Sequence, residues 1–365
     1  MANRVTLQDI ATHCGFSKSM VAKVLKNPEE CSAKLKTKTT ILNIAKKLNY
    51  RSNMVARGLS LQKSYTIGVL LPSSSNIFYG NMVAEIQHLL SLTDYAPVFA
   101  FWETIEGIQK AIDNILSRQV DAIITCEPSY LPDNLDIPVV SYYNHDDRFD
   151  FVGYNCYEVI KDCLVYLMKQ GHKRITYIGN PEDRRFKAFQ TNMKKFGLDY
   201  SPEKLIYDVS LSEFLMGSKF FSEIVKSKTH PTAIIAHNDS VAIGLMRKAL
   251  ISGMKIPEEL SIIGFDDTLL AKFYTPSLSS IKVSTKKSIA AILLETVFAR
   301  LNDKNISKKI ILLNHKLIIR ESTGAAQQLS KDLSMKLCIA GGEDRSLCRS
   351  SSNHGSRIYN SNPEK

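Results

Sequence analysis

Several things are missing from this sequence, and each absence narrows what the chain can be. Its seven cysteines (14, 31, 126, 156, 163, 338 and 348) form no Cys-x-x-Cys pair and no ladder of spacings. A disulfide scaffold and a thiolate zinc site are therefore not indicated, and scattered reduced thiols fit a cytoplasmic protein. No apolar run reaches membrane-spanning length, and MANRVTLQDIATHC lacks the apolar stretch of a secretory leader. The expectation is a soluble, cytoplasmic chain with no membrane partner. No G-x-G-x-x-G, Walker A loop, G-x-S-x-G elbow or H-E-x-x-H occurs, and the eight histidines show no metal-ligand spacing. Neither catalysis nor any cofactor or metal is expected, although dispersed catalytic residues leave no motif.

Acidic residues are scarce in one place. Residues 1–63 hold twelve Lys and Arg against three acids, Asp9, Glu29 and Glu30, an excess of nine in a chain whose net charge is +11. The rest is close to neutral. A basic head on a neutral body is the footprint of a phosphate-binding module, and a solvated basic face is the bland alternative.

The head carries a local code. Thr6 and Asp9 form a Thr-x-x-Asp start signal for a short helix ending near His13. Gly15 breaks it, and Ser17 caps a second helix, KSMVAKVLK. Ile10, Ala11, Val21, Val24 and Leu25 close a small core. A third helix reads from Ser32, with Ile41, Ile44, Ala45 and Leu48 at helical spacing. Two short helices around a tight turn make a helix-turn-helix. If its second helix enters the major groove, Lys18, Ser19 and Lys23 meet base edges. Thr6, Ser17 and Asn27 suit phosphate contacts. A plain three-helix bundle with exposed lysines is the competing reading.

From Tyr65 onward, apolar runs alternate with helix-length amphipathic segments. TIGVLLP, DAIITCE, IPVVSYY, RITYIGN, TAIIAHN and LSIIGFD read as strands buried on both faces of a parallel sheet. FYGNMVAEIQHLLSL and SVAIGLMRKALISG read as helices between strands. The class is α/β, doubly wound. The first three strand runs echo the last three in order, which suggests two lobes and a crevice at the strands' carboxyl ends.

TLQDIATHCGFSKSMVAKVLKNPEE resembles the head of the lactose-repressor (LacI/GalR) family, with Cys14, Met20 and Ala22 where Ala, Thr and Ser are usual. NYRSNMVARGLS resembles the family's hinge, with Ser52 in place of Pro. VGYNCYEV, QGHKRITYIGNP, HPTAIIAHNDSVAIGLMRKAL, IPEELSIIGFDD and YTPSLSSI look like its body landmarks. The resemblance covers roughly residues 5–324. It implies a periplasmic-binding-protein-like body of two lobes, and a transcription regulator that binds a palindromic double-stranded operator as a homodimer. It implies that Asn53, Arg57 and Leu59 belong to the DNA-binding hinge, with Leu59 as a minor-groove wedge; a buried anchor is the alternative for Leu59. It also implies an effector site at Phe78, Tyr79, Asn155, Arg185, Asn238 and Asp266 for a sugar, sugar derivative or nucleobase-like compound. Asp266 would be acceptor-only and Arg185 donor-only. Ala188 and Asn155 depart from the usual Gly and Asp. An ordinary surface ion pair is the alternative for Asp266 and Arg185, and a core aromatic for Phe78.

The hinge has its own physics. A two-turn helix containing Gly58 is unstable alone, so it is expected to fold only when paired on DNA. The organisation expected is a DNA-binding head over 1–50, a hinge over 51–63, an effector and dimerisation body over 64–324, and a polar tail over 325–365 with the composition of disorder. A solute-binding protein, or an enzyme on the same body, is the rival reading, and retention on specific duplex DNA separates them.

Overall fold

A computed structural model describes residues 5–51, 54–72, 76–198, 212–226, 230–284 and 286–327. Most of the expected tail, from residue 328, lies outside them, as does Asn53. The chain divides into two compact units, Met1–Ser64 and Tyr65–Lys365.

The first unit holds α1 (Leu7–Cys14), α2 (Lys18–Lys26), α3 (Leu35–Lys47) and α4 (Met54–Leu61). Thr6 and Asp9 close a reciprocal capping box on α1. The helix stops at Gly15, whose φ of 69° only glycine adopts without cost, and the Gly15 N–H returns to the Ala11 carbonyl at 2.9 Å. Ser17 Oγ accepts from Met20 N and starts α2. Ile10, Val21, Val24 and Ile41 are fully buried, with Ala11 and Ala45 beside them and Leu25 at the edge. The third helix begins three residues later than Ser32, after an irregular stretch ending at Lys34.

The hinge segment forms the two-turn helix α4. Its C-terminal end is closed locally, by the Lys63 N–H donating to the Gly58 carbonyl at 3.1 Å. This bond satisfies one of the carbonyls that a short helix otherwise leaves to water.

The second unit contains β1 (Thr66–Pro72), α5 (Ile77–Ser91), β2 (Ala96–Trp102), α6 (Ile105–Leu116), β3 (Ala122–Thr125), β4 (Val139–Tyr142), β5 (Asp150–Gly153), α7 (Cys156–Lys169), β6 (Ile175–Ile178), α8 (Arg184–Lys195), α9 (Glu213–Lys226), β7 (Ala233–Ala236), α10 (Asp239–Ile251), β8 (Ser261–Phe265), α11 (Leu269–Phe273), β9 (Ser279–Ser284), α12 (Ile289–Asn302), β10 (Ile310–Leu312) and β11 (Asn314–Ile318). Two sheets result, ordered β10-β5-β4-β3-β1-β2 and β11-β9-β8-β7-β6. All described pairings are parallel except β11 with β9. Each sheet is covered on both faces, and side chains alternate between the two layers. In β1, Ile67, Val69 and Leu71 join the layer of α5 and α12, while Leu70 joins that of α6. In the second sheet, Ile234 and Ile262 face α9 and α10, and Ile235 and Ile263 face α7 and α8.

The lobes are interleaved in sequence. The chain passes from the first sheet to the second after β5, returns after β9 to lay α12 on the first, and crosses again between β10 and β11. Strand order in the first sheet reverses at β1, with β2 on one side and β3 on the other. Such a reversal opens a crevice at the carboxyl ends of the strands.

Candidate functional site

Two sites follow from this framework, one in each unit. On α2, Val21 and Val24 point into the core and Lys18, Ser19 and Lys23 are exposed. The side chains expected at phosphates are partly committed to capping. The Thr6 hydroxyl donates to Asp9 Oδ2 at 2.8 Å, so its hydrogen is taken. Ser17 Oγ only accepts, from Met20 N at 3.2 Å, and keeps its hydrogen for another acceptor. Asn27 Oδ1 accepts from Glu29 N at 3.2 Å, which turns its NH2 group outward. Cys14 and Met20, two of the departures from the family pattern, pack against the edge of the head core. Arg57 is half-buried, and Leu59 is 79% exposed, unlike a core anchor.

In the body, the proposed effector residues all lie just beyond strand carboxyl ends. Phe78 and Tyr79 begin α5 after β1, and Phe78 stacks on Tyr142 with centroids 5.9 Å apart. Tyr79 sits beside Cys126, and burial raises its phenol well above the usual range. Asn155 is exposed and caps α7 through Oδ1, which accepts from Tyr157 N at 3.0 Å and Glu158 N at 3.3 Å. Asn238 is buried and caps α10 through Val241 N at 2.9 Å, while its NH2 donates to Glu213 Oε1 at 2.6 Å.

Arg185 is sandwiched between the Tyr143 ring, 5.0 Å away, and the Phe265 ring at 4.7 Å. Its donors are largely spent inside the protein. Nη1 reaches the His237 carbonyl at 2.7 Å, and Nε and Nη2 reach Asp183 and the His237 ring. Burial alone would raise the Asp183 carboxyl, but the Arg185 and His237 charges and the Tyr143 hydroxyl outweigh it and hold it at about 2. Burial and the neighbouring Arg185 press His237 down to about 4, so at neutral pH its ring is uncharged. The counter-charge of Asp183 is therefore Arg185. Expected as a donor opposite the ligand, Arg185 is instead buried at the centre of a satisfied network, with both faces of its guanidinium against aromatic rings.

Asp266 is different. It is half-buried at the end of β8, and no hydrogen bond to its carboxylate occurs among the described residues. Its φ of 98° lies in the region that side chains avoid, at a cost of roughly 1–3 kcal/mol. Next to it, Asp267 is neutralised by Arg320, with Lys282 at 3.7 Å and Lys272 at 3.9 Å. Burial, followed by the nearby Asp239 charge, raises the Asp266 carboxyl to about 8. A carboxyl raised that far favours its protonated form at neutral pH, which donates as well as accepts.

Several crevice residues escaped sequence reasoning. Glu127 follows β3, accepts from Asn144 Nδ2 at 2.9 Å, and is raised to about 7 by burial and by Asp183. Tyr143 donates to Asp183 Oδ1 at 2.7 Å. Asn76 and Asp183 had a signal, since each is an N-cap type just ahead of a helical pattern. Glu213 had none.

A helix-turn-helix with an exposed basic face, joined to a two-lobed α/β body with an aromatic and polar crevice, defines a DNA-binding regulator of the ligand-sensing class. The comparisons with known proteins agree. Residues 6–53 match the family described as bacterial regulatory proteins, lacI family, and residues 164–323 match a periplasmic binding protein-like domain. The chain thus carries a lacI-family DNA-binding domain followed by a periplasmic binding protein-like domain. Catabolite control protein A of Staphylococcus aureus is 28% identical over 333 residues, covering 87% of this chain and 99% of that protein. The lac repressor dimer bound to operator and the anti-inducer ONPF shares the fold at a TM-score of 0.74 and 21% identity, over 88% of this chain and all of that one. A CelR–cellobiose complex does so at 0.60 and 19% identity, over 87% of this chain and all of that one. No helix among the described residues is long and apolar enough to cross a membrane.

Proposed function

We propose that this chain is a cytoplasmic repressor that binds a near-palindromic operator as a homodimer and is switched by a small polar metabolite held in the crevice of its body. The observation that carries the DNA half is the split of α2, with Val21 and Val24 buried and Lys18, Ser19 and Lys23 exposed on a capped helix. One short helix reads too few bases for specificity, so two copies are needed. Exposed Ile251 at the end of α10, with Leu269 and Phe273 on α11, offers the body an apolar contact for a second copy. The metabolite half rests on Asp266, a carboxyl on strained backbone with no hydrogen bond among the described residues, within electrostatic reach of Tyr142 and Tyr154. A sugar, sugar derivative or nucleobase-like compound presents the matching edges, and cellobiose and ONPF are what the related structures hold.

Selection from a random duplex library with the full-length protein tests the reading. An enriched inverted repeat, bound by two copies, is the expected product. Saturable specific binding by a proven monomer to one half-site would overturn the dimer. Absence of any sequence preference would leave a solute-binding protein instead.

A further inference from the structure

Glu213 opens α9 on the second lobe, and its Oε1 accepts two hydrogen bonds, from Asn76 Nδ2 at 2.7 Å and from Asn238 Nδ2 at 2.6 Å. The two donors come from opposite lobes. Asn76 precedes α5 on the first sheet, and Asn238 precedes α10 on the second. Neither amide is free to turn over. Asn76 Oδ1 accepts from Phe78 N at 2.9 Å and Tyr79 N at 3.2 Å, and Asn238 Oδ1 accepts from Val241 N. Because each carbonyl oxygen caps a helix, each NH2 is aimed at the carboxylate.

Glu213 is itself held firmly to its own lobe. One turn along α9, a Cβ on Gly217 would stand 2.0 Å from the Val241 carbonyl oxygen, and a Cβ on Gly244 would stand 2.0 Å from that of Phe214. Backbone meets backbone at that crossing, so α9 and α10 move as one piece. Within this bridge, the Asn238 bond stays inside the second lobe and the Asn76 bond is the leg that spans the crevice. It also ties Glu213 to the start of the helix bearing Phe78 and Tyr79, and Asp266 lies within electrostatic reach of the same carboxylate.

We propose that Glu213 is a positioning residue of the crevice, a carboxylate bridge that holds the lobes together through Asn76 and so sets how far they part when the effector enters. The proposal rests on reading the crevice as the effector site.

The test needs no effector. Fluorophores are placed on bio-orthogonal side chains at exposed Gln109 of α6 and Thr191 of α8, one per lobe, in the full-length protein, and their separation is read by energy transfer. Asn76→Asp keeps the cap oxygen of α5 but replaces the bridging donor with an oxygen, and a longer mean distance is expected. Glu213→Gln alone keeps an acceptor and leaves the distance close to wild type. Combining the two restores it, because the new amide of Glu213→Gln donates to the new carboxylate of Asn76→Asp while its oxygen still accepts from Asn238. A merely structural role would not produce rescue by that exchange of donor and acceptor. An unchanged distance in Asn76→Asp, or additive opening in the double variant, overturns the bridge. Operator affinity measured on the same set separates the two ideas: lobes that open with no change in operator affinity keep the bridge and sink the crevice as the switch.

Discussion

Asp266 concentrates the physics of the crevice in one side chain. Its backbone is strained, and its carboxyl is raised from 3.8 to about 8, first by burial and then by Asp239, itself raised to about 6 by burial. A carboxyl whose folded value exceeds its unfolded one binds a proton more tightly when folded. Its contribution to stability is full below pH 4 and is lost as the pH rises through 8. Asn cannot ionise, so Asp266→Asn should gain in melting temperature over wild type as the pH is raised from 5 to 8.5. A difference that stays flat with pH would show Asp266 ionised at ordinary values. Asp183 is held at about 2 by Arg185 and stays charged throughout that window. For function, Asp266→Ala should abolish the ligand response, and unaltered ligand affinity by calorimetric titration would remove Asp266 from the site. The position of Asp266 after an apolar run was legible in the sequence, but its protonation was not. That depends on Asp239 and on burial, and the burial is made by chain segments far away.

Among the elements, α2 was read from local signals and α4 from the family resemblance, and each yields a prediction. Lys18→Ala and Lys23→Ala should each weaken specific operator binding by about 1–3 kcal/mol and relax preference at one base position. Equal weakening on every sequence, with a shallower salt dependence, would make them phosphate contacts instead. Leu59→Ala should reduce operator bending and affinity together, and unchanged bending in a circular-permutation gel assay would refute a wedge. The capping box at Thr6 and Asp9 was legible because it is written within four residues. The strands β2, β5, β9, β10 and β11 were not. Of these, β2 and β10 form the rims of the first sheet, where Phe101, Ile310 and Leu312 are exposed although APVFAFW and IIL are as apolar as a central strand, so composition does not reveal their place.

At the scale of the molecule, the head and body must be coupled for a metabolite to control DNA. Coupling free energies between such sites are typically about 1–3 kcal/mol, so the effector should change operator affinity by roughly 5–150-fold, and operator should change effector affinity by the same factor. Titrating each ligand with and without the other checks this reciprocity, and unequal factors would mean that the two experiments follow different states. Phe273→Glu should place a charge on the apolar face of α11, dissociate the dimer in sedimentation, and weaken operator binding with it. A stable dimer in that variant would move the interface elsewhere.

The sequence by itself determined the local code: three helices of the head, six buried strands, and chemistry-bearing residues placed at strand ends. It could do so because caps, turns and apolar periodicity act over a few residues. Only the tertiary structure decided that Arg185 is consumed by Asp183 and His237, that the Asp266 carboxyl has no hydrogen bond among the described residues, and that Glu213 spans the crevice to Asn76. The last of these joins residues 137 positions apart. The charge and hydrogen-bonding capacity left to a buried side chain depend on what the rest of the fold packs against it.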